Sequence, residues 1–441
     1  MEINTTLKAQ PVVQKDRIFA IDTLRGVALL GILLMNIPGF AMPERFYDAF
    51  HNNTSDPSYW TDAVITILFE GKMRALFSMI FGAGILLFIL RKKQSGLPYK
   101  VLFLRRMGWL ILFGLIHAHL LLWIGDILYL YGVIGILAFL FRNMQPKYLA
   151  MGVPIVAIVS FAMSVMFYHS LREKRMEFLK ANAVQKKHQP LTAAQKKAIA
   201  EWNEAQKEFI PNNAQIASHT RSMKSDYATV AKYIRPLAWD GQTKYLVYSV
   251  GDVLALMMLG MALYKWRFFT GEWTSNIYKR TALIGYGIGL PLVIYNFYAY
   301  SQIAPGPEAS IRFLETHPIN WRGIIYPFQR ILLVMAHASV IMLILRAGIW
   351  KKLTNSVAAV GQMAFTNYIM HTIFCTLFFF GYGLNYFAEL EYYQLYYVVA
   401  VIWAIQLIIS PIWLKHFLFG PLEWLWRCLT YWHIQPFKRK I

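Results

Sequence analysis

The chain predicts an all-α polytopic integral membrane protein, with about ten transmembrane helices in two five-helix halves. Three observations carry that reading. Of 441 residues, 57% are hydrophobic and only 15% are charged, whereas soluble domains carry about 25% charge. Windows of about 20 mainly apolar residues recur along nearly the whole length. The basic residues also follow an alternating pattern, which fixes the orientation of the spans.

The spans fall at 18–42, 63–90, 107–124, 127–141, 148–169, 245–264, 281–300, 326–346, 357–383 and 395–414. Ten spans put both ends on one side. That side then holds 23 Lys and Arg, against only Arg45, Arg312 and Arg322 in the short loops of the other. The 23 mark it as cytoplasmic. This accounts for a net charge of +21 without nucleic acid, the partner that a soluble chain so basic would suggest. Cys375 and Cys428 are too few and too far apart for a disulfide framework.

The chain divides accordingly. Residues 1–17 form a polar cytoplasmic tail with no small-residue cleavage site after it, so the first span is an uncleaved anchor. Spans one to five occupy 18–169 and spans six to ten occupy 245–414, with a cytoplasmic tail at 415–441. Between the halves lies an extracytoplasmic insertion, 170–244, with fourteen basic residues; it is too long for the charge rule to govern. Thr192 and Gln195 read as a capping box opening a short helix that ends before Pro211. The insertion reads as a lid or spacer. Five spans per half would make the halves inverted repeats, a transporter device. The supporting signal, Phe81-Gly82-Ala83-Gly84 and Leu259-Gly260-Met261-Ala262, is equally the signature of close helix contacts.

Ionisable residues inside the spans are costly and therefore informative. His117 lies beyond the middle of span three, two turns from Asp126, which opens span four. A water bridge joins such a pair more readily than direct contact. The plainer readings are a neutral packing histidine and an N-cap aspartate. Glu70, Lys72 and Arg74 fall within the apolar run of span two; Glu70 and Arg74, four apart, suit each other. Asp252, Arg330, His337, Asn367 and His371 lie at similar depth on three other spans, which together suggest a water-filled cavity or substrate path. At the cytoplasmic surface, Asp22 and Arg25 share a helical face, and Arg105 and Arg106 open span three. These are either anchors or ligands for an anionic group such as phosphate. No pair of strong ligands has metal-binding spacing, and no phosphate loop or dinucleotide fingerprint occurs.

At these residues the chain resembles the YeiB-like family, and its second half resembles the domain of unknown function 418. The likeness rests on Asp22-Thr23-Leu24-Arg25-Gly26-Val27-Ala28, on Gly71-Lys72 through Phe81-Gly82-Ala83-Gly84, and on His117 with Gly125-Asp126-Ile127-Leu128. Met363-Ala364-Phe365-Thr366-Asn367-Tyr368 and the tail Phe419-Gly420-Pro421-Leu422-Glu423-Trp424-Leu425-Trp426-Arg427 complete it. Only the 170–244 insertion falls outside. Through the first-span pattern the family is similar to the transmembrane acyltransferases, such as the lysosomal heparan glucosaminide acetyltransferase and bacterial sugar O-acetylases.

The resemblance implies a bacterial inner-membrane enzyme that takes an acyl group from cytosolic acyl-CoA, acetyl-CoA included, to an extracytoplasmic sugar, glycan or small metabolite. His117 with Asp126 would perform the transfer, with His51 of the first outer loop an alternative. Arg25, Arg105 and Arg106 would hold the donor phosphates. Lys72, Arg74, Asp252, Arg330, Asn367 and His371 would line the substrate path. Acyl transfer needs a base or a nucleophile that works near neutral pH, and histidine serves as either. The competing reading is a secondary transporter or exporter. The lipid bilayer is the principal partner, and a homo-oligomer is compatible with everything above.

Overall fold

A computed structural model describes residues 18–43, 53–209, 213–303 and 306–439. The first tail, Arg45, His51 and Pro211 lie outside the described residues. The described residues are mainly helical, with no strand beyond an isolated bridge between Phe417 and Lys438.

The first group of helices is α1 (Phe19–Ala41), α2 (Pro57–Leu68), α3 (Lys72–Gln94), α4 (Tyr99–His119), α5 (Leu128–Leu140) and α6 (Pro146–Lys186). Three shorter helices follow: α7 (Ala193–Phe209), α8 (Asn213–Met223) and α9 (Tyr227–Gln242). Next come α10 (Leu246–Lys265), α11 (Ser275–Ile303), α12 (Pro307–Thr316), α13 (Arg322–Ala347), α14 (Lys351–Gln362), α15 (Ala364–Phe379), α16 (Leu395–His416) and α17 (Pro421–Tyr431). Among the described residues, eight runs are long and apolar enough to cross a membrane, with α2–α3 counted as one. Shorter apolar helices, α5 and α15, stand in two further predicted spans. This is the architecture of a membrane protein.

Four expectations need correction. Span two is not one helix. It breaks at Phe69-Glu70-Gly71, where Gly71 takes φ +69°, a conformation that costs glycine nothing and other residues something. Span nine is likewise divided, between α14 and α15 at Met363. Span three runs over 99–119 rather than 107–124, so Arg105 and Arg106 sit inside the helix and His117 lies in its last turn. Finally, α6 continues without interruption to Lys186, past the predicted end of span five.

Local chemistry explains the ends that matter. Asp56 caps α2 by accepting from the Ser58 amide, with Pro57 at the first helical position. The capping box at α7 forms as read: the Thr192 amide donates to Gln195 and the Gln195 amide to the Thr192 hydroxyl. The two small-residue segments of the supposed repeats meet each other. A side chain on Gly82 would strike the Met257 carbonyl, and one on Gly260 the Met79 carbonyl. They are the crossing point of α3 and α10, where backbones approach closely. Helices from before and after the insertion therefore interleave, and α1 packs on α14 in the same way, with Gly26 against Val357 and Gly361 against Asp22.

Candidate active site

One end of the bundle is basic. There a partly open cavity of about 250 Å³ is lined by Arg25, Arg91, Arg106 and Arg427. Its walls are apolar, with Phe81, Phe103 and Met107 among them. Its inner end is closed by Ile127, Leu128, Tyr131 and Tyr368. Two of the three predicted phosphate ligands thus face the cavity. Arg25 is oriented by Asp22 (2.9 Å) and the Gly361 carbonyl (3.3 Å). Arg106 lies over the Trp426 ring, 3.7 Å from its centroid. Arg105 turns the other way, donating to the Thr430 carbonyl (3.3 Å) and covering Trp432.

The wall near that end depends on α17. Glu423 reaches from it to the start of α15, accepting from the Phe365 amide (2.6 Å), the Thr366 amide (3.0 Å) and the Thr366 hydroxyl (2.6 Å). It caps a helix from a distance. Burial raises its carboxyl above the ordinary value, against the hydrogen bonds, which lower it.

About eleven residues along α4 from Arg106, on the order of 16 Å of helix, stands His117, fully buried. Its Nδ1 lies 2.7 Å from Asp126 Oδ1, and its Nε2 lies 2.7 Å from Thr372 Oγ1. The predicted water bridge is therefore replaced by direct contact. Because α4 ends at His119, the following loop folds back and brings Asp126 to the last turn. Gly114, one turn earlier, leaves the room, since a side chain there would strike Asp126 and Tyr129. Asp126 also accepts from the Leu128 (3.1 Å) and Tyr129 (2.8 Å) amides, so it caps α5 while holding the histidine. A carboxylate that only accepts puts the imidazole proton on Nδ1. Nε2 is then the acceptor for the threonine hydroxyl.

His117 does not itself line the cavity. Tyr368 stands between, its ring edge-on to the imidazole at 5.0 Å, its hydroxyl donating to the Gly125 carbonyl (3.2 Å). The far side is sealed by apolar packing, including Trp123 stacked on Phe40. Helix α9 of the insertion covers this end, where Arg235 donates to the His119 carbonyl and Tyr227 to the Leu120 carbonyl, both at 2.9 Å.

The six predicted path residues do not gather in one chamber, and none lines the cavity. Arg330 makes a two-pronged ion pair with Asp252, and Arg74 adds a third contact at 3.3 Å. Arg74 therefore joins α3 to α10 instead of pairing with Glu70. Lys72 donates to the Thr66 carbonyl (2.7 Å) and His337 Nε2 to the Leu68 carbonyl (2.8 Å). Both satisfy carbonyls at the C-terminal end of α2, where the helix dipole favours positive groups. Asn367 and His371 bind α16 through Ser410 (3.1 Å) and Gln406 (3.0 Å). Among the described residues no group of three or more His, Cys, Asp or Glu could hold a metal ion.

Thr372, Tyr368, Arg91 and Arg427 carry no site role in the sequence alone: a hydroxyl or phenol in a span costs little, and basic residues in cytoplasmic loops are already explained by orientation. The spacing of Tyr368 and Thr372, one helical turn apart, was the available signal. For Arg427 it was the same spacing from Glu423 in the tail.

Comparison with known proteins shows what the chain is similar to. The family described as "Protein of unknown function (DUF418)" matches residues 263–433. "Uncharacterized protein YxaH" of Bacillus subtilis (strain 168) is 28% identical over 439 residues, 98% of each chain. "Uncharacterized protein YeiB" of Escherichia coli (strain K12) is 28% identical over 434 residues, 94% of this chain and 96% of that one. These matches support the YeiB-like family. A third relative, "Uncharacterized 39.9 kDa protein in amylase 3'region" of Bacillus acidopullulyticus, is 26% identical over 431 residues, 96% of each chain. No solved structure matches the chain.

Proposed function

We propose that the protein is a membrane acyltransferase that takes an acyl group from cytosolic acyl-CoA to an acceptor hydroxyl or amine on the other side of a bacterial inner membrane. The acceptor is a sugar, glycan or small metabolite. One observation carries this reading: the cavity is lined by four arginines, with Asp22 and Glu423 among them, and by apolar side chains, and Tyr368 of its lining packs on the buried Asp126–His117 pair. A donor with a polyanionic head and an apolar, reactive tail fits that lining. Arg25, Arg91, Arg106 and Arg427 meet phosphates, which guanidinium groups hold strongly. His117, kept in one tautomer by Asp126, serves as the base.

The reading includes ten crossings in two five-helix halves, with both tails cytoplasmic and the insertion, 170–244, covering the outer end of the site. Cysteines introduced at Asn53 and Gln195 should label from outside intact cells, and one at Gln94 should not. For function, the purified protein should turn over acyl-CoA continuously, releasing more than one equivalent of free CoA, only when an acceptor pool is present. A transporter remains the second reading, favoured by the interruptions at Gly71 and Met363, since transporters build sites at broken helices. Proton- or sodium-coupled flux without covalent change would establish it instead.

A further inference from the structure

We infer that Thr372 is the acyl carrier: a threonine nucleophile, activated by His117, that takes the acyl group from the donor before the acceptor receives it. The inference rests on the acyltransferase reading and makes it a two-step reaction. Thr372 is buried, and its hydroxyl lies 2.7 Å from His117 Nε2 while Asp126 holds Nδ1 at 2.7 Å. Nucleophile, base and orienting acid stand in the order that activated hydroxyls require. The direction of the hydroxyl is itself informative. Thr23, Thr61, Thr243, Thr281 and Thr430 each donate to the carbonyl four residues back, the usual outlet for a helical threonine. Thr372 instead reaches across to a different helix. Its place on α15 is one turn beyond Tyr368, which closes the inner end of the cavity. Neither Thr372 nor His117 lines the cavity, so the carrier role requires Tyr368 to move aside.

In the first half-reaction Thr372 Oγ1 attacks the thioester carbonyl carbon as its proton passes to His117 Nε2. The carbon–sulfur bond breaks, and the departing thiolate takes that proton from Nε2, leaving free CoA and a threonyl ester. In the second half-reaction the acceptor gives its proton to Nε2 and attacks the ester. The carbon–Oγ1 bond breaks, and Thr372 recovers the proton. Asp126 remains ionised and holds the Nδ1 proton throughout.

The test uses the full chain in detergent with radiolabelled acetyl-CoA and decanoyl-CoA, acid quenching and peptide mass spectrometry. The expected result is one alkali-labile acyl group on the peptide containing Thr372, with parallel initial-rate lines when donor and acceptor are varied. Thr372→Ser should keep the label. Thr372→Val, which retains the shape, should lose it and slow thioester cleavage by about 10³-fold, with donor affinity unchanged by calorimetry. Label on His117 would overturn the threonine and make the histidine itself the carrier; intersecting initial-rate lines, or normal transfer by Thr372→Val, would overturn any carrier and leave His117 as the base of a direct transfer. Absence of donor binding and cleavage in the unaltered protein would instead overturn the acyltransferase reading and the carrier with it.

Discussion

Two polar clusters inside the helix bundle use charge differently. At the interruption between α2 and α3, Arg330, Asp252, Arg74 and Lys72 tie helices together or satisfy freed carbonyls. Each strong contact there is an ion pair or a cap. At the end of α4, Asp126, His117 and Thr372 form a chain of two short hydrogen bonds beside a cavity. The chain spans acid, base and hydroxyl, and shifting one proton along it is chemistry rather than architecture. Depth in the membrane does not separate the two clusters; the order of donors and acceptors does.

The largest expected effect tests the second cluster. His117→Gln should lower acyl transfer by about 10³-fold, about 4 kcal/mol in the barrier, with the protein still monodisperse and donor binding retained. Normal turnover would make the histidine a packing residue and erase the contrast. Asp126→Asn, which caps nearly as well as aspartate, should lower turnover by about 10²-fold, because the tautomer is no longer imposed.

Next in size is the first cluster. Arg330→Met leaves Asp252 without its two-pronged partner and should cost about 3 kcal/mol of stability, read as a lower unfolding temperature in detergent. Adding Asp252→Leu should recover most of it. A stable Arg330→Met variant that has lost substrate flux or transfer would move this cluster from architecture to function.

A smaller effect separates neighbouring arginines. Arg25→Ala should weaken acyl-CoA binding about tenfold, about 1.4 kcal/mol. Arg105→Ala should change it less, since that guanidinium faces Thr430 and Trp432. Equal losses from both would mean that the cavity mouth is not where donor phosphates bind.

The smallest effect contrasts His117 with a histidine that stacks on aromatic rings. His219 of α8 stacks on Tyr233 and lies against Phe387, and burial lowers its imidazole from 6.5 to about 4. The unfolded histidine therefore takes up its proton first as pH falls. Docking of the insertion is fully stabilised above about pH 6.5 and weakens as pH drops towards 4, by on the order of 1 kcal/mol at this half-exposed site. Protease nicking within α7–α9 should increase between pH 7 and pH 4.5, and His219→Phe should abolish that increase.

By itself the sequence determined that the chain is a helical membrane protein, because apolar runs of spanning length have no other outlet for their backbone groups than helices. It also singled out His117 as an ionisable group at a costly depth, Asp126 at the start of the next span, and Arg25 and Arg106 at the basic face. The capping box at Thr192 was legible for the same local reason. What only the tertiary structure decided was partnership. Asp126 reaches His117 because α4 stops at His119 and Gly114 leaves the space, neither of which periodicity encodes. Arg74 belongs to Asp252, 178 positions away, although Glu70 stands four residues from it. Thr372 was invisible because a neutral hydroxyl in a span costs little and draws no attention. Its meaning comes from a hydrogen bond across 255 positions of chain, which folding alone creates.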